Sequence, residues 1–311
     1  MIFTLTLNPA LDRFLYVDKL IQDDTVRVKK IKDYPAGKGI DVSRVINELK
    51  GHTVAITIVG GNNGNRLLQM LDEEGVVYTN VIVDEETRMN ILIQEKKNQY
   101  RMSMKGPNVE QIDQKKIIKT IDMLVRENDT VVLTGTPPGG YKSTVYKDLI
   151  KRLRERGIFT YLDSDKEAFR LGIEASPTGI KPNKHEMQRL LNRELNTYDD
   201  YKKACIDIYN KFNVPEILLT LGSEGALCYI NSKFYSVTIP KVKVKSAVGA
   251  GDSFLAGFVL GKELKLSVEE SLMLAAASST ATVTTPGTEL CKYKKVLELK
   301  KEVNVKTLQE D

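Results

Sequence analysis

Residues 246–258 read SAVGAGDSFLAGF. Gly249, Ala250 and Gly251 are small enough for a tight turn with close backbone approach, and Phe254 and Phe258 then recur at helical spacing. A glycine turn that opens a helix leaves first-turn amides free, and the helix dipole makes that end a pocket for an anion. Asp252 stands in the first turn. It reads either as a carboxylate favoured by the dipole, closing the turn, or as a general base beside a bound phosphoryl group. The segment is not the dinucleotide fingerprint, which belongs to an early strand–turn–helix unit. Nor is it a P-loop, because no Lys-Ser/Thr pair follows the glycines.

The rest of the chain repeats one rhythm: an apolar strand-like run, a turn, then a helix-period segment. The runs are Ile2 to Leu7, Val54 to Val59, Val131 to Leu133, Ile158 to Leu162 (leading into Asp163) and Ile217 to Leu221. Between them Val42, Val45, Ile46 and Leu49 fall on one helical face, as do Val145, Leu149 and Leu153 before Gly157. Strands alternating with helices predict an α/β fold with a parallel sheet covered on both faces. Two stretches depart from the rhythm. Residues 13–31 and 88–104 alternate at period two around polar turns at Gln22-Asp23-Asp24 and Lys96-Lys97-Asn98. They predict a small antiparallel sheet projecting from the main body, with one face covered by substrate or by another subunit. Its outer apolar positions would come from Phe14, Tyr16, Ile91, Ile93 or their neighbours. No Pro-, Gly- or Ser-rich linker divides the chain, so residues 1–311 read as one domain with a lid.

Composition narrows the function classes. The 311 residues carry 46 basic and 41 acidic side chains, a net charge of +5 too slight and too evenly spread for a nucleic-acid groove. There is no tryptophan to stack on bases. No apolar run reaches the ~18–20 residues of a membrane span, and MIFTLTLNPA has no basic n-region before an apolar stretch. Cys205, Cys228 and Cys291, an odd number without a close pair, read as reduced thiols of a cytoplasmic protein. Two histidines, His52 and His185, exclude a multi-histidine metal centre and leave carboxylates, lysine and backbone amides to carry the chemistry.

Four further segments are candidates. In YPAGKGIDVSRVINEL (34–49), Lys38 lies between Gly37 and Gly39 at a helix start, suited to an anionic group or else solvated in a turn. Asp12 follows the first strand and the Asn8-Pro9 turn, where open α/β sheets bind ligands, or it caps that turn. In GIKPNKHE (179–186), Asn183 and Glu186 are three apart. They form either a capping box or an amide–carboxylate pair ordering Mg²⁺ through water. In LTLGSEGALCY (219–229), Gly222 and Gly225 make a loop bordering a nucleotide or a plain hairpin turn.

Together PAGKGIDVSR, TGTPPGG, KPNKHE, LTLGSEGA and SAVGAGDSFLAGF, in this order, resemble the ribokinase-like (PfkB) carbohydrate kinase family, from LTLNPALD to AAASSTATVTTPGTEL. TLTLNPALD and the pair Arg88 and Asn90 in ETRMN are similar to its phosphosugar branch, which holds the minor 6-phosphofructokinase, 1-phosphofructokinase and tagatose-6-phosphate kinase. NQYRM and LLNRELN are most similar to the first of these, and Lys38 to the other two. Ala36 and Asp41 depart from the branch's usual glycine and asparagine, and Asp41 adds negative charge near the substrate.

The resemblance implies a ribokinase-like three-layer α/β/α fold with a mostly parallel sheet and an antiparallel lid. It implies transfer of the ATP γ-phosphoryl group, with Mg²⁺ and room for a monovalent cation, to fructose 6-phosphate, fructose 1-phosphate or tagatose 6-phosphate. Asp252 would be the base, with the amides of Gly249, Ala250 and Gly251 as an anion hole. Lys38 and Arg88 would neutralise the substrate phosphate, Asp12 and Asn90 would bind sugar hydroxyls, and Gly37, Gly39 and Asp41 would border the sugar. Asn183, Glu186, Thr220, Gly222 and Gly225 would serve ATP, Glu186 also ordering Mg²⁺ through water. A lid-to-lid homodimer is implied as well. A same-fold kinase of an uncharged sugar or nucleoside is disfavoured by Lys38 and Arg88, and a non-catalytic sugar-phosphate sensor by the retained Asp252.

Overall fold

The computed structural model of the chain describes residues 1–96 and 98–308, so Lys97 of the expected second lid turn lies outside the described residues. Strand β1 (Ile2–Thr6) belongs to a large sheet, while β2 (Ala10–Tyr16) and β3 (Lys30–Ala36) belong to a small one. Helix α1 (Lys38–Glu48) returns the chain to the large sheet for β4 (Thr53–Val59), α2 (Gly61–Glu73) and β5 (Tyr78–Ile82). Strands β6 (Arg88–Gln94) and β7 (Gln99–Met102) complete the small sheet. Helix and strand then alternate: α3 (Gln111–Leu124), β8 (Thr130–Thr134), α4 (Val145–Arg154), β9 (Phe159–Asp163), α5 (Lys166–Ile173) and the short β10 (Gly179–Ile180). After α6 (Lys184–Leu191) and α7 (Tyr198–Phe212) come β11 (Glu216–Thr220), β12 (Ala226–Ile230) and β13 (Lys233–Thr238). The chain closes with α8 (Ala250–Glu263), α9 (Val268–Val283), α10 (Tyr293–Lys300) and β14 (Asn304–Leu308).

The large sheet runs β14-β13-β12-β11-β10-β9-β8-β1-β4-β5. Its members from β11 to β5 are parallel, and β12, β13 and β14 extend it antiparallel. The strands are apolar at successive positions because both faces are covered. Ile2, Val132 and Leu218 join a core with α1, α8 and α9, whereas Phe3, Val131 and Leu219 face a second core with α3, α4 and α7. Side chains alternate sides along a strand, so such runs build three layers. All five strand runs expected from the sequence are present, each within two residues of the expected ends, and the two helical faces fall on α1 and α4.

The lid corrects the expectation in three respects. Its order is β3-β2-β6-β7, and the central β2–β6 pair is parallel, so the sheet is mixed rather than antiparallel. The reason is the parent sheet. Strands β1 and β5 point the same way, and each passes through a short turn into its lid strand. Second, the pairing residues of the first half are 10–16 and 30–36, and the alternation through 17–29 finds no partner strand. Third, β2 register puts Phe14 and Tyr16 on the face of Asp12, where the Phe14 ring packs edge-on against Tyr34 at 5.4 Å. Of the outer positions expected, Ile91 and Ile93 are present, and Leu15, the neighbour of Phe14 and Tyr16, joins them with Ile31, Tyr100 and Met102. The lid is tied to the body by Glu289, which accepts from Lys32 and, at 3.3 Å, from the Tyr34 hydroxyl.

Candidate active site

The ends of β9 and β10 and the start of α8 meet the lid strands around one cavity. Gly249 begins α8 with φ +78°, a left-handed conformation, and any Cβ there would collide with the Leu290 side chain. This turn aims the first amides of α8 into the cleft. Among the described residues the N–H groups of Gly249, Gly251 and Asp252 have no partner, Ala250 N–H makes a long 3.5 Å contact to the Ala247 carbonyl, and Ser253 N–H donates to the Gly249 carbonyl at 2.9 Å. Asp252 follows, buried in the first turn of the helix. Burial, reinforced by the nearby Asp163 carboxylate, raises its pKa from 3.8 to about 6, against the pull of Lys38 and Lys181. A carboxylate poised near neutrality can accept a proton from an alcohol more readily than an ordinary aspartate.

Asp163, at the end of β9, is buried between two cations. Lys38 Nζ donates to its Oδ1 at 2.7 Å, and Lys181 Nζ lies 3.1 Å from its Oδ2. Although burial opposes it, the two ammonium groups hold the Asp163 carboxyl below its usual range. Lys38 is thus engaged with a carboxylate, and Glu186 lies 4.0 Å further on. Asn183 and Glu186 do form the capping box: each backbone N–H donates to the other's side chain, at 2.8 and 2.9 Å. The cap uses Glu186 Oε2 and leaves Oε1 facing the cleft, so the two readings of this pair are compatible.

In the lid, Asn90 Nδ2 donates to Asp12 Oδ1 at 2.7 Å across the parallel β2–β6 register. Asp12 therefore sits within the lid strand rather than on the turn after β1. Burial raises its pKa, while the Asn90 hydrogen bond and Arg101 oppose this. Arg88 donates to the carbonyls of Asn8 (3.1 Å), Pro9 (3.3 Å) and Met104 (3.5 Å) and has no carboxylate partner among the described residues. Asp41 is fully buried against Arg44, 3.1 Å away. Burial pushes its pKa well up, with Asp252 and Asp12 adding to the effect against Arg44. Its charged form is thus disfavoured by burial and partnered by Arg44, and the carboxyl lines the cavity under the lid.

Two cavities flank the start of α8. One, about 460 Å³, is bordered by the lid and holds Asp12, Lys38, Arg88, Asn90 and Asp252 together, with Gly37 and Asp41 also in its wall. The other, about 210 Å³, lies against Thr220, Gly222, Gly225, Ala250 and Phe254. The hairpin reading of 219–229 is correct, because β11 and β12 are antiparallel neighbours around this loop. Lys181, Asn183 and Gly251 belong to both walls. Gly39 lines neither; a Cβ there would lie 2.5 Å from Thr6 Oγ1, so it serves the packing of α1 on β1.

Sequence reasoning did not select Asp163, Lys181, Arg101 or Ser103, which also line the larger cavity. The first two were detectable as charged residues directly after apolar strand runs, the edge at which α/β sheets bind ligands. Arg101 and Ser103 enter only through the lid pairing. Among the described residues no three acidic, histidine or cysteine side chains cluster to hold a metal. The Glu186 oxygen left over from the cap would suit a magnesium ion bound mainly by phosphates and water. Nor is any described helix long and apolar enough to cross a membrane.

A buried carboxylate at a glycine-opened helix N-terminus, between two cavities of different lining, defines a phosphotransferase with an alcohol acceptor. The chain belongs to the pfkB family of carbohydrate kinases, whose sequence model matches residues 6–295. It is 34% identical over 281 residues to the tagatose-6-phosphate kinase of Staphylococcus epidermidis, covering 89% of this chain and 90% of that protein. It is 30% identical over 295 residues to the ATP-dependent 6-phosphofructokinase isozyme 2 of Escherichia coli, covering 94% and 95%. The crystal structure of the Escherichia coli phosphofructokinase-2 with substrates and products superposes with a TM-score of 0.93 at 30% identity, over 97% of this chain and 98% of that one. A second structure of that enzyme, in complex with potassium, gives 0.92 over the same shares at the same identity.

Proposed function

We propose that the protein transfers the γ-phosphoryl group of ATP to a hydroxyl of a ketohexose monophosphate, giving a bisphosphate. One observation carries this: the lid-side cavity and the Thr220–Gly225 cavity share Lys181, Asn183 and Gly251 as a common wall, with Asp252 beside it. A sugar in the first and a nucleotide in the second meet at the free amides of α8. Asp252 takes the hydroxyl proton, the sugar oxygen bonds to the γ-phosphorus, and the bond to the bridging oxygen breaks to leave ADP. The amides of Gly249, Ala250 and Gly251 stabilise the charge on the moving phosphoryl oxygens. Arg88 and Lys38 supply positive charge for the phosphate already on the sugar, and Asp12 and Asn90 orient its hydroxyls. Thr220, Gly222 and Gly225 border the nucleotide, with Asn183 and the free Glu186 oxygen facing its phosphates and the waters of a bound Mg²⁺. That ion supplies neutralising charge to the phosphate chain. The potassium complex of the Escherichia coli relative supports a monovalent cation here too.

The names of the relatives, a tagatose-6-phosphate kinase and a 6-phosphofructokinase, support a phosphorylated ketohexose. The outer lid face supports a homodimer: Ile31, Tyr100 and Met102 are 56%, 44% and 45% exposed on a sheet too small to cover both faces. The test is a coupled ADP-release assay with MgATP across fructose 6-phosphate, fructose 1-phosphate and tagatose 6-phosphate. One of them should exceed free fructose in kcat/KM by about 100-fold, the value of a lost phosphate contact with Arg88. Equal turnover of free and phosphorylated sugar would remove the basis for the assignment.

A further inference from the structure

A third cavity, about 450 Å³, lies outside the reaction path between α3, α4 and the loop after β8. Its floor is apolar, made by Leu7, Ile117, Val145 and Leu149. Its wall includes Tyr141, whose hydroxyl oxygen is buried without a hydrogen-bond partner. Buried polar groups in folded proteins are nearly always satisfied, so an orphan hydroxyl at a cavity marks a place where a ligand or water completes the set. Four charged groups stand at the rim. Asp148 accepts from the Thr144 hydroxyl at 2.9 Å and keeps its charge, while Arg152 is paired with Asp122. Lys115 and Lys142 have no ion-pair partner among the described residues.

We infer that this cavity is an effector site for a small amphipathic anion, a carboxylate or phosphate ester with an apolar body of about eight heavy atoms. The body fits the aliphatic floor, the acid group fits the two uncommitted ammonium groups, and the volume is within the range of small-molecule sites. Two covalent continuities link the cavity to the sugar site. Leu7 is followed by Asn8 and Pro9, whose carbonyls hold Arg88. Gln111, at the start of α3, is reached from lid strand β7 through residues 103–110, which include the Met104 carbonyl that also receives Arg88. A ligand that moves Leu7 or the start of α3 therefore moves the cradle of Arg88, and acts on sugar binding rather than on the chemical step.

The probe is n-octanoate, with acetate and octanol as controls lacking the body and the charge. In calorimetry with the native protein, octanoate should bind at one site per chain, about tenfold or more tighter than either control. K115Q/K142Q should weaken it about tenfold, and Ile118→Trp, which enlarges a rim residue 37% exposed, should block it. Thermal unfolding checks that both variants are folded. Saturating octanoate should shift the phosphosugar KM about fivefold or more in the native enzyme and not in K115Q/K142Q. Absence of saturable binding, equal binding to the native protein and to K115Q/K142Q, or binding that leaves KM unchanged would each overturn the inference. The binding arm needs no turnover, so its failure is distinct from failure of the phosphosugar assignment.

Discussion

Replacing Asp252 by Asn should lower activity and raise stability at once. Asp252 is buried, and its pKa stands at about 6 rather than 3.8. Between those pH values the folded protein keeps a proton that the unfolded chain has released, so the ionised carboxylate weakens the fold as pH rises through the window and by its full amount above it. About two pKa units correspond to ~3 kcal/mol. Asn has the same shape and no charge, so D252N should gain that amount at pH 8 and nothing at pH 3.5, where both side chains are neutral. For a chain of this length the gain is about 4–5 °C in Tm. Loss of the base should cost roughly 10²–10⁴ in kcat with ATP affinity little changed. The native kcat/KM should fall on the acid side of about pH 6, as Asp252 is protonated. The assays are thermal unfolding at the two pH values and coupled ADP release across pH 5–8.5. A variant with near-normal kcat, or one whose Tm gain is the same at both pH values, would refute the reasoning.

Arg88→Ala should raise the phosphosugar KM by about 10–150-fold, a charge-assisted contact, and leave free fructose as poor a substrate as before, measured by initial rates. Lys38→Ala should do the same and also destabilise the protein, because Asp163 keeps only Lys181 as counter-charge; denaturant titration reads the second effect. Gly249→Ala places a Cβ on a residue at φ +78° and against Leu290, so it should lose ~1–2 kcal/mol and much of kcat, seen by urea unfolding and rate measurement. Ile93→Asp puts a charge on the outer lid face, and light scattering should then report a monomer near 35 kDa with reduced activity; a fully active monomer would defeat the lid-dimer proposal.

The large sheet was legible because burial on both faces leaves an unbroken apolar run at each central strand, and glycine turns follow those runs. The α8 turn was legible for the same local reason. The lid was legible only as alternation. Period two identifies strands but not their partners, so nothing in residues 13–31 announced that 17–29 would form no strand; that Phe14 shares a face with Asp12 follows from the same period only once the strand is extended back to Ala10. Asp41 read as a charge near substrate, because its partner Arg44, three residues on, engages Glu74 at 2.6 Å as well, on the far end of α2. The Asp163–Lys181 pair joins adjacent strands β9 and β10, a juxtaposition set by sheet order rather than by spacing in the chain.

The parallel β2–β6 seam has a consequence for assembly. Asp12 and Asn90, hydrogen-bonded across it, are 78 residues apart. A hairpin could close within microseconds, but a parallel pair must wait for its crossover, here β3, α1, β4, α2 and β5. The β2–β6 seam therefore closes only after β4 and β5 have brought the chain back, and long-range pairing of this kind is slow to form. The two sides of the sugar pocket arrive on different strands and exist as a pocket only while the seam is shut. A bound sugar phosphate holds them together by mass action. Hydrogen exchange at the β2 and β6 amides should thus slow on ligand binding far more than at β8 or β11, whose protection comes from the two cores.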